Sequence, residues 1–150
     1  MNTTHRLWTK DYTVFWLTSL LMLFAFYSLV STLPLYLDEY LHATKGQIGL
    51  ILSFYAVGAL LLRPFCGYAL DVWGRKGVFL SGFFIFCLLF GLYQIPSLKF
   101  FSGLAILGLP VPLLIVSAVR FLHGLSWAIV SSGSQTLTVD LVPASRRGEG

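Results

Sequence analysis

Two places in this sequence hold charges that need partners. The first is the link Gly67-Tyr-Ala-Leu-Asp71-Val-Trp-Gly74-Arg75-Lys76, which joins two long apolar runs. Asp71 and Arg75 are four residues apart, so their side chains meet if the helix persists through the link. Gly74 suits a tight turn, because glycine adopts positive φ without steric cost. Asp71 stands near the C-terminus of one apolar helix, where the helix dipole disfavours an anion. Arg75 and Lys76 stand near the N-terminus of the next, where it disfavours cations. Charges opposed to both dipoles require each other or a third group. The plainer reading of the same residues is a basic, membrane-flanking turn with an incidental Asp71.

The second place is Arg120, inside a further apolar run, with His123 three residues on. A cation at the centre of a membrane helix costs about 2.5–3.5 kcal/mol on insertion scales. Two readings stand for Arg120. It binds or helps to move a proton or an anionic group, or it snorkels to a nearby interface. His123 reads either as a group that titrates near neutral pH or as a hydrogen-bonded packing residue. At helical spacing Ser117, Arg120, Gly124, Ala128, Ser131, Gln135 and Thr138 share one face, with Leu122, Leu125, Ile129, Val130 and Leu137 opposite. In lipid, the small and polar face is expected to turn to a protein partner or a water-filled cavity. Gly124 and Ala128 form a small-xxx-small pair, which lets another helix approach closely.

No covalent chemistry is indicated. The sequence has no Ser/His/Asp set, no metal-ligand cluster, no P-loop and no nucleotide fingerprint. Cys66 and Cys87 lie in apolar runs without CxxC spacing, and both read as buried thiols. The expectation is a protein that is not an enzyme and uses neither cofactor nor metal. A membrane enzyme acting on lipid head groups through Asp71 and Arg75 would need more carboxylates to hold a metal.

The elements that carry these residues follow from composition. Of 150 residues 57% are apolar before the glycines are counted, and 11% are charged. Soluble domains are about 45–50% apolar with glycine included and about 25% charged, so the solvent is lipid. Spans are expected at about 12–37, 47–70, 77–95 and 112–138, all helical because backbone groups in hydrocarbon must be satisfied internally. The run at the N-terminus is too long for a signal peptide and no cleavage site follows it, so it is read as a retained first span. The apolar segment 98–109 is too short to cross. It is left open between an interfacial helix, a re-entrant piece and an extension of a neighbouring span, and a fifth span stays open with it. With four spans, Arg6, Lys10, Arg63, Arg75, Lys76, Arg146 and Arg147 fall on one side, and Lys45 and Lys99 on the other. The basic side is expected to be cytoplasmic. The protein is thus expected in the inner (plasma) membrane as a multi-pass protein with both termini inside. The net charge of +4 belongs to this asymmetry and does not point to nucleic acid.

The motif GxxxD-x-x-GRK between spans two and three resembles the signature loop of the major facilitator superfamily of secondary transporters. Val72 stands where the family often has a basic residue. The resemblance implies that Gly67, Asp71, Gly74, Arg75 and Lys76 form a conformational latch. It also implies that Asp140, at the inner end of span four, joins Asp71 and Arg75 in a charge cluster. Arg120-Phe-Leu-His-Gly124 is similar to the span-four motif of the drug:proton antiporter-like group, many of whose members have Gln at the place of His123. The stretch from Asp140 to Gly150 is similar to the loop leading to span five in that group. Two departures stand out. The stretch from Lys76 to Arg120 is longer than usual, and span one has no ionisable residue between Asp11 and Asp38, where some drug antiporters keep a carboxylate.

The resemblance implies an all-α integral membrane fold, with four transmembrane helices of an incomplete N-terminal half-bundle. It implies a proton-coupled, alternating-access transporter, an efflux carrier of small molecules among the options, with Arg120 and His123 at the coupling or substrate site. The expected partners are the lipid bilayer, a small-molecule substrate, protons, and either a missing C-terminal remainder or another copy. On this reading the 150 residues are a truncated fragment, inactive alone. The contrasting reading is a non-transporting four-span scaffold or assembly subunit, whose polar span-four face would be a helix–helix interface. Aromatic residues such as Phe24, Phe26, Tyr27 and Tyr55 either line a cavity or pack in the core and against lipid. The substrate cannot be read from the fold.

Overall fold

Thr9 starts the first helix: its Oγ1 accepts the Tyr12 amide at 3.2 Å, which satisfies one of the free N–H groups of a helix start. The computed structural model describes residues 8–97, 101, 103–106, 108–143 and 146. Helix α1 spans Lys10–Glu39 and contains Pro34. Helix α2 spans Lys45–Val72. Thr44 and Gln47 cap it reciprocally, Gln47 N donating to Thr44 Oγ1 and Thr44 N to Gln47 Oε1. Helix α3 spans Arg75–Leu92 and follows Gly74, whose φ is +91°. The turn expected there does require the left-handed region that glycine enters freely. Helix α4 spans Val111–Leu141, with Pro112 in its first turn, where a missing N–H costs nothing.

All four helices are long and apolar enough to cross a membrane. Three of them, α1, α2 and α4, run past their apolar stretches at both ends, because charged and polar residues continue the helix into the interface where hydropathy no longer marks it. Helix α3 also begins earlier than its apolar run but stops at Leu92. Gln94 N there donates to Gly91 O at 3.2 Å, and the tighter winding leads into a 3-10 turn at Ile95–Ser97. Pro96 disfavours the helical region for the residue before it.

Among its described residues the segment 98–109 has 3-10 winding at Phe101 and no α-helix. Strand β1 (Ala105–Ile106) pairs antiparallel with β2 (Leu109–Pro110). The Val111 amide extends the ladder to Leu104 O at 2.9 Å. Gly103 and Gly108, at φ +84° and +79°, turn the chain in ways a helix does not permit, so none of the helical alternatives holds for these residues. Residues 98–100, 102 and 107, Lys99 among them, lie outside the described residues, as do Arg6 and Arg147.

The helices alternate in direction. Tyr12 near the start of α1 packs on Val142 just past α4. Leu37, Ala43, Ile51, Leu89 and Leu113 form a core at the opposite end. Helix α4 is the axis of the bundle, lying against both α2 and α3, whereas α1 touches its neighbours sparsely. Half of the most apolar stretch of α4 is buried, 50%, against 6% in α1.

This arrangement changes the expected two-faced reading of α4. Val130, assigned to the apolar side, is fully buried against Met22, Phe79 and Phe86. Ser117, Ser131 and Thr138, assigned to the polar side, donate their hydroxyls to Leu113, Ala128 and Ser134 carbonyls of their own helix. A hydroxyl satisfied by the preceding turn places no demand on a cavity or partner. Among the described residues, the buried side chains of α4 with unsatisfied polar atoms are Arg120 and His123.

Candidate functional site

The link between α2 and α3 gathers charge at one end of the bundle. Gly74 reverses the chain, so Asp71 in the last turn of α2 and Arg75 at the start of α3 lie on neighbouring turns. Arg75 Nη2 is 3.8 Å from Asp71 Oδ1. Arg75 Nη1 donates to Asp140 Oδ1 and Oδ2 of α4 at 2.8 and 2.9 Å. One guanidinium thus bridges the ends of three helices. Asp140 stands in the last turn of α4, where the dipole disfavours an anion, and Arg75 offsets that cost. The node is open to its surroundings: side-chain exposure is 44% for Arg75, 43% for Asp140 and 71% for Asp71. Lys76 is exposed, and so is Gly67, where an added Cβ would meet nothing within 4 Å. Asp71, Lys76 and Gly67 therefore face outward from these four helices.

The second set lies inside the bundle. Arg120 is nine residues beyond the start of α4, about 14 Å along the helix at 1.5 Å per residue. It is only 3% exposed, so the snorkelling alternative does not hold. Its guanidinium carbon lies 4.9 Å from the centroid of the Tyr55 ring of α2, a cation–π contact of the kind that stabilises a desolvated charge. His123 is fully buried. Its ring sits among Phe86 and Phe90 of α3, with centroids at 4.3 and 4.9 Å. Tyr93 Oη lies 3.3 Å from His123 Nδ1. Ion pairs join Arg75 to Asp71 and to Asp140, and neither reaches Arg120. The two sets are far apart: Asp140 is twenty residues past Arg120 on one helix, about 30 Å.

The close approach expected at Gly124 and Ala128 has a definite geometry. A Cβ on Gly124 would overlap the Tyr55 carbonyl oxygen, and Ala128 is fully buried. Gly58 of α2 answers from the other side, where a Cβ would overlap the Phe121 carbonyl oxygen. These two glycines bring the backbones of α2 and α4 into contact, and that contact lays the Tyr55 ring against Arg120.

Sequence reasoning left several members out. Tyr93 follows α3 and gave no sign of reaching α4. Gly58, Gly82 and Gly133 pack against neighbouring helices, and small residues spaced along α2, α3 and α4 were the signal that could have found them. Tyr55 and Phe26 do belong to the interior: Phe26 stacks on Trp127 at 4.9 Å and lies 5.2 Å from Tyr55. Phe24 and Tyr27 are exposed. Cys66 is buried as expected, but Cys87 is exposed, because its side of α3 faces a groove beside the sparsely packed α1. No cluster of His, Cys, Asp or Glu able to hold a metal ion occurs among the described residues.

A family model described as Major Facilitator Superfamily matches residues 15–150. No curated protein and no solved structure matches the chain.

Proposed function

Because the chain belongs to the major facilitator superfamily, whose members are membrane transporters, we propose that it acts in proton-coupled secondary transport of a small molecule by alternating access. Its four apolar helices make it a multi-pass membrane protein with the architecture of an N-terminal half-bundle. The observation that carries the proposal is Arg120, a cation 3% exposed inside a membrane helix with no ion pair among the described residues. Keeping a charge without an ionic partner in hydrocarbon is costly, and such residues typically mark substrate or proton pathways. In this reading Arg120 and His123 form the coupling or substrate site. Export by exchange with protons, as in the drug:proton antiporter-like group, is the mode that the motif Arg120-Phe-Leu-His-Gly124 supports.

Asp71, Arg75 and Asp140 act in this proposal as a latch. Asp71, the most exposed of the three, engages a helical bundle outside these four helices, either a C-terminal half or a second copy. Gly67, Gly74 and Lys76 complete that contact surface. Rocking between the two bundles would make and break it while the solute site changes sides. The basic residues Lys10, Arg63, Arg75, Lys76 and Arg146 lie toward the latch end, and Lys45 toward the other, which supports a cytoplasmic latch and an inner-membrane location. The chemistry is solute movement without covalent catalysis.

The test is pH-gradient-driven flux of a mixed solute panel in everted vesicles from cells carrying the native coding region. Arg120→Ala is expected to abolish it. Wild-type flux in that variant would overturn the assignment.

A further inference from the structure

Four buried side-chain polar atoms among the described residues lack a hydrogen-bond partner: Tyr55 Oη, Arg120 Nε, Arg120 Nη1 and His123 Nε2. All four belong to one cluster between α2 and α4. Each of the four can donate. The guanidinium nitrogens have no acceptor capacity, and the Tyr55 hydroxyl carries a proton. Tyr93 Oη finds the His123 Nδ1 acceptor within reach at 3.3 Å. In the tautomer in which the phenol donates there, the neutral imidazole carries its proton on Nε2. Buried donors with nothing to donate to are costly. A set of donors around one fixed positive charge is complementary to an oxyanion.

The chain's described carboxylates cannot fill that place. Asp11, Asp38, Glu39, Asp71 and Asp140 all stand in the first or last turns of helices, away from the interior position of Arg120. The surroundings of the cluster are aromatic. Phe86, Phe90 and Trp127 lie against His123 or against each other, and Phe26 stacks on Trp127. Two openings on the loosely packed α1 side are lined by neighbours of the cluster and not by Arg120, His123 or Tyr55 themselves. One is a cavity of about 260 Å³ bounded by Tyr36 and Tyr93, and the other a groove of about 360 Å³ bounded by Phe86 and Phe90.

We propose that Arg120, His123 and Tyr55 bind the carboxylate of a small monoanionic solute whose apolar body lies against the aromatic walls. This rests on the transport reading above and supplies its substrate class. One negative charge neutralises Arg120. A dianion such as a phosphate monoester would leave one charge unpaired in a low-dielectric interior, which the environment penalises.

Benzoate is a suitable probe, with benzamide as its uncharged counterpart and benzylamine as the cation. Protein purified from the native coding region and held in nanodiscs is titrated with radiolabelled benzoate. Saturable binding is expected, with benzamide and benzylamine competing at least about tenfold more weakly, the factor that one charge-assisted hydrogen bond supplies. Arg120→Gln is expected to weaken benzoate binding by about tenfold or more, and Tyr55→Phe by several-fold with helicity unchanged by circular dichroism. Absence of saturable binding, equal competition by benzamide, or wild-type affinity in Arg120→Gln each overturns the proposal. If Arg120→Gln does not fold, unchanged affinity in Tyr55→Phe overturns it instead. Selective benzoate binding without solute flux would sink the transport reading and leave the site standing, whereas flux without selective binding would do the reverse.

Discussion

Arg75 and Asp140 hold each other through two short hydrogen bonds, yet each side chain is more than two-fifths exposed. Exposed ion pairs contribute little, typically about 0.2–1 kcal/mol. Arg75→Ala is therefore expected to leave the unfolding midpoint nearly unchanged, measured by chemical unfolding in mixed micelles. The proposed latch would do more than that, because such a node would be remade in each transport cycle. Solute flux in Arg75→Ala should fall far more than the stability shift explains. A proportionate loss of both would reduce the node to a surface ion pair. Asp71→Asn isolates the outward-facing member: membrane insertion should be unchanged and flux lowered, and unchanged flux would remove Asp71 from the latch. Arg120 is the reverse case. Its burial makes the charge expensive in itself, so a purely structural account would have to explain why an apolar residue does not stand there.

At the scale of helices, glycines decide how close the backbones come. A Cβ on Gly124 meets the backbone of α2 at Tyr55, which cannot step aside. Gly124→Ala should cost the upper part of the usual overpacking range of about 1–3 kcal/mol. A Cβ on Gly82 meets Ile129 Cγ2 at 2.6 Å, a side chain that can shift, so Gly82→Ala should cost less. Gly67→Ala meets nothing, and its stability should stay within about 0.5 kcal/mol of wild type. Unfolding midpoints in the order Gly67→Ala, Gly82→Ala, Gly124→Ala, from most to least stable, would support this account. Any other order would mean that the α2–α4 contact is not set by backbone approach. Gly67→Ala carries a second readout. Flux lost without stability would place the need for glycine in a contact with another bundle.

For the whole molecule, the proposed orientation rests on charge asymmetry between the two ends. Tyr40, after α1, and Trp73, after α2, are exposed at opposite ends. In a background with Cys66 and Cys87 replaced by Ala, Tyr40→Cys should react with an impermeant maleimide in intact cells. Trp73→Cys should react only after permeabilisation. The reverse pattern would invert the proposed topology.

The sequence by itself determined the solvent, the helices and the family-like loop. Lipid admits few backbone structures, so apolar length and composition give the spans, and Gly74 with its flanking charges gives the turn. Three features were decided only by the tertiary structure. The hairpin after α3 depends on glycine conformations that hydropathy does not register. The polar face of α4 disappeared once its hydroxyls bonded within their own helix. Arg120 and His123 acquired Tyr55 from α2 and Tyr93 from the turn after α3 as neighbours. Local spacing along one helix reports which residues share a face, but the partner of a buried charge is chosen by how the backbones cross, and that crossing is set by glycines on both sides of the contact.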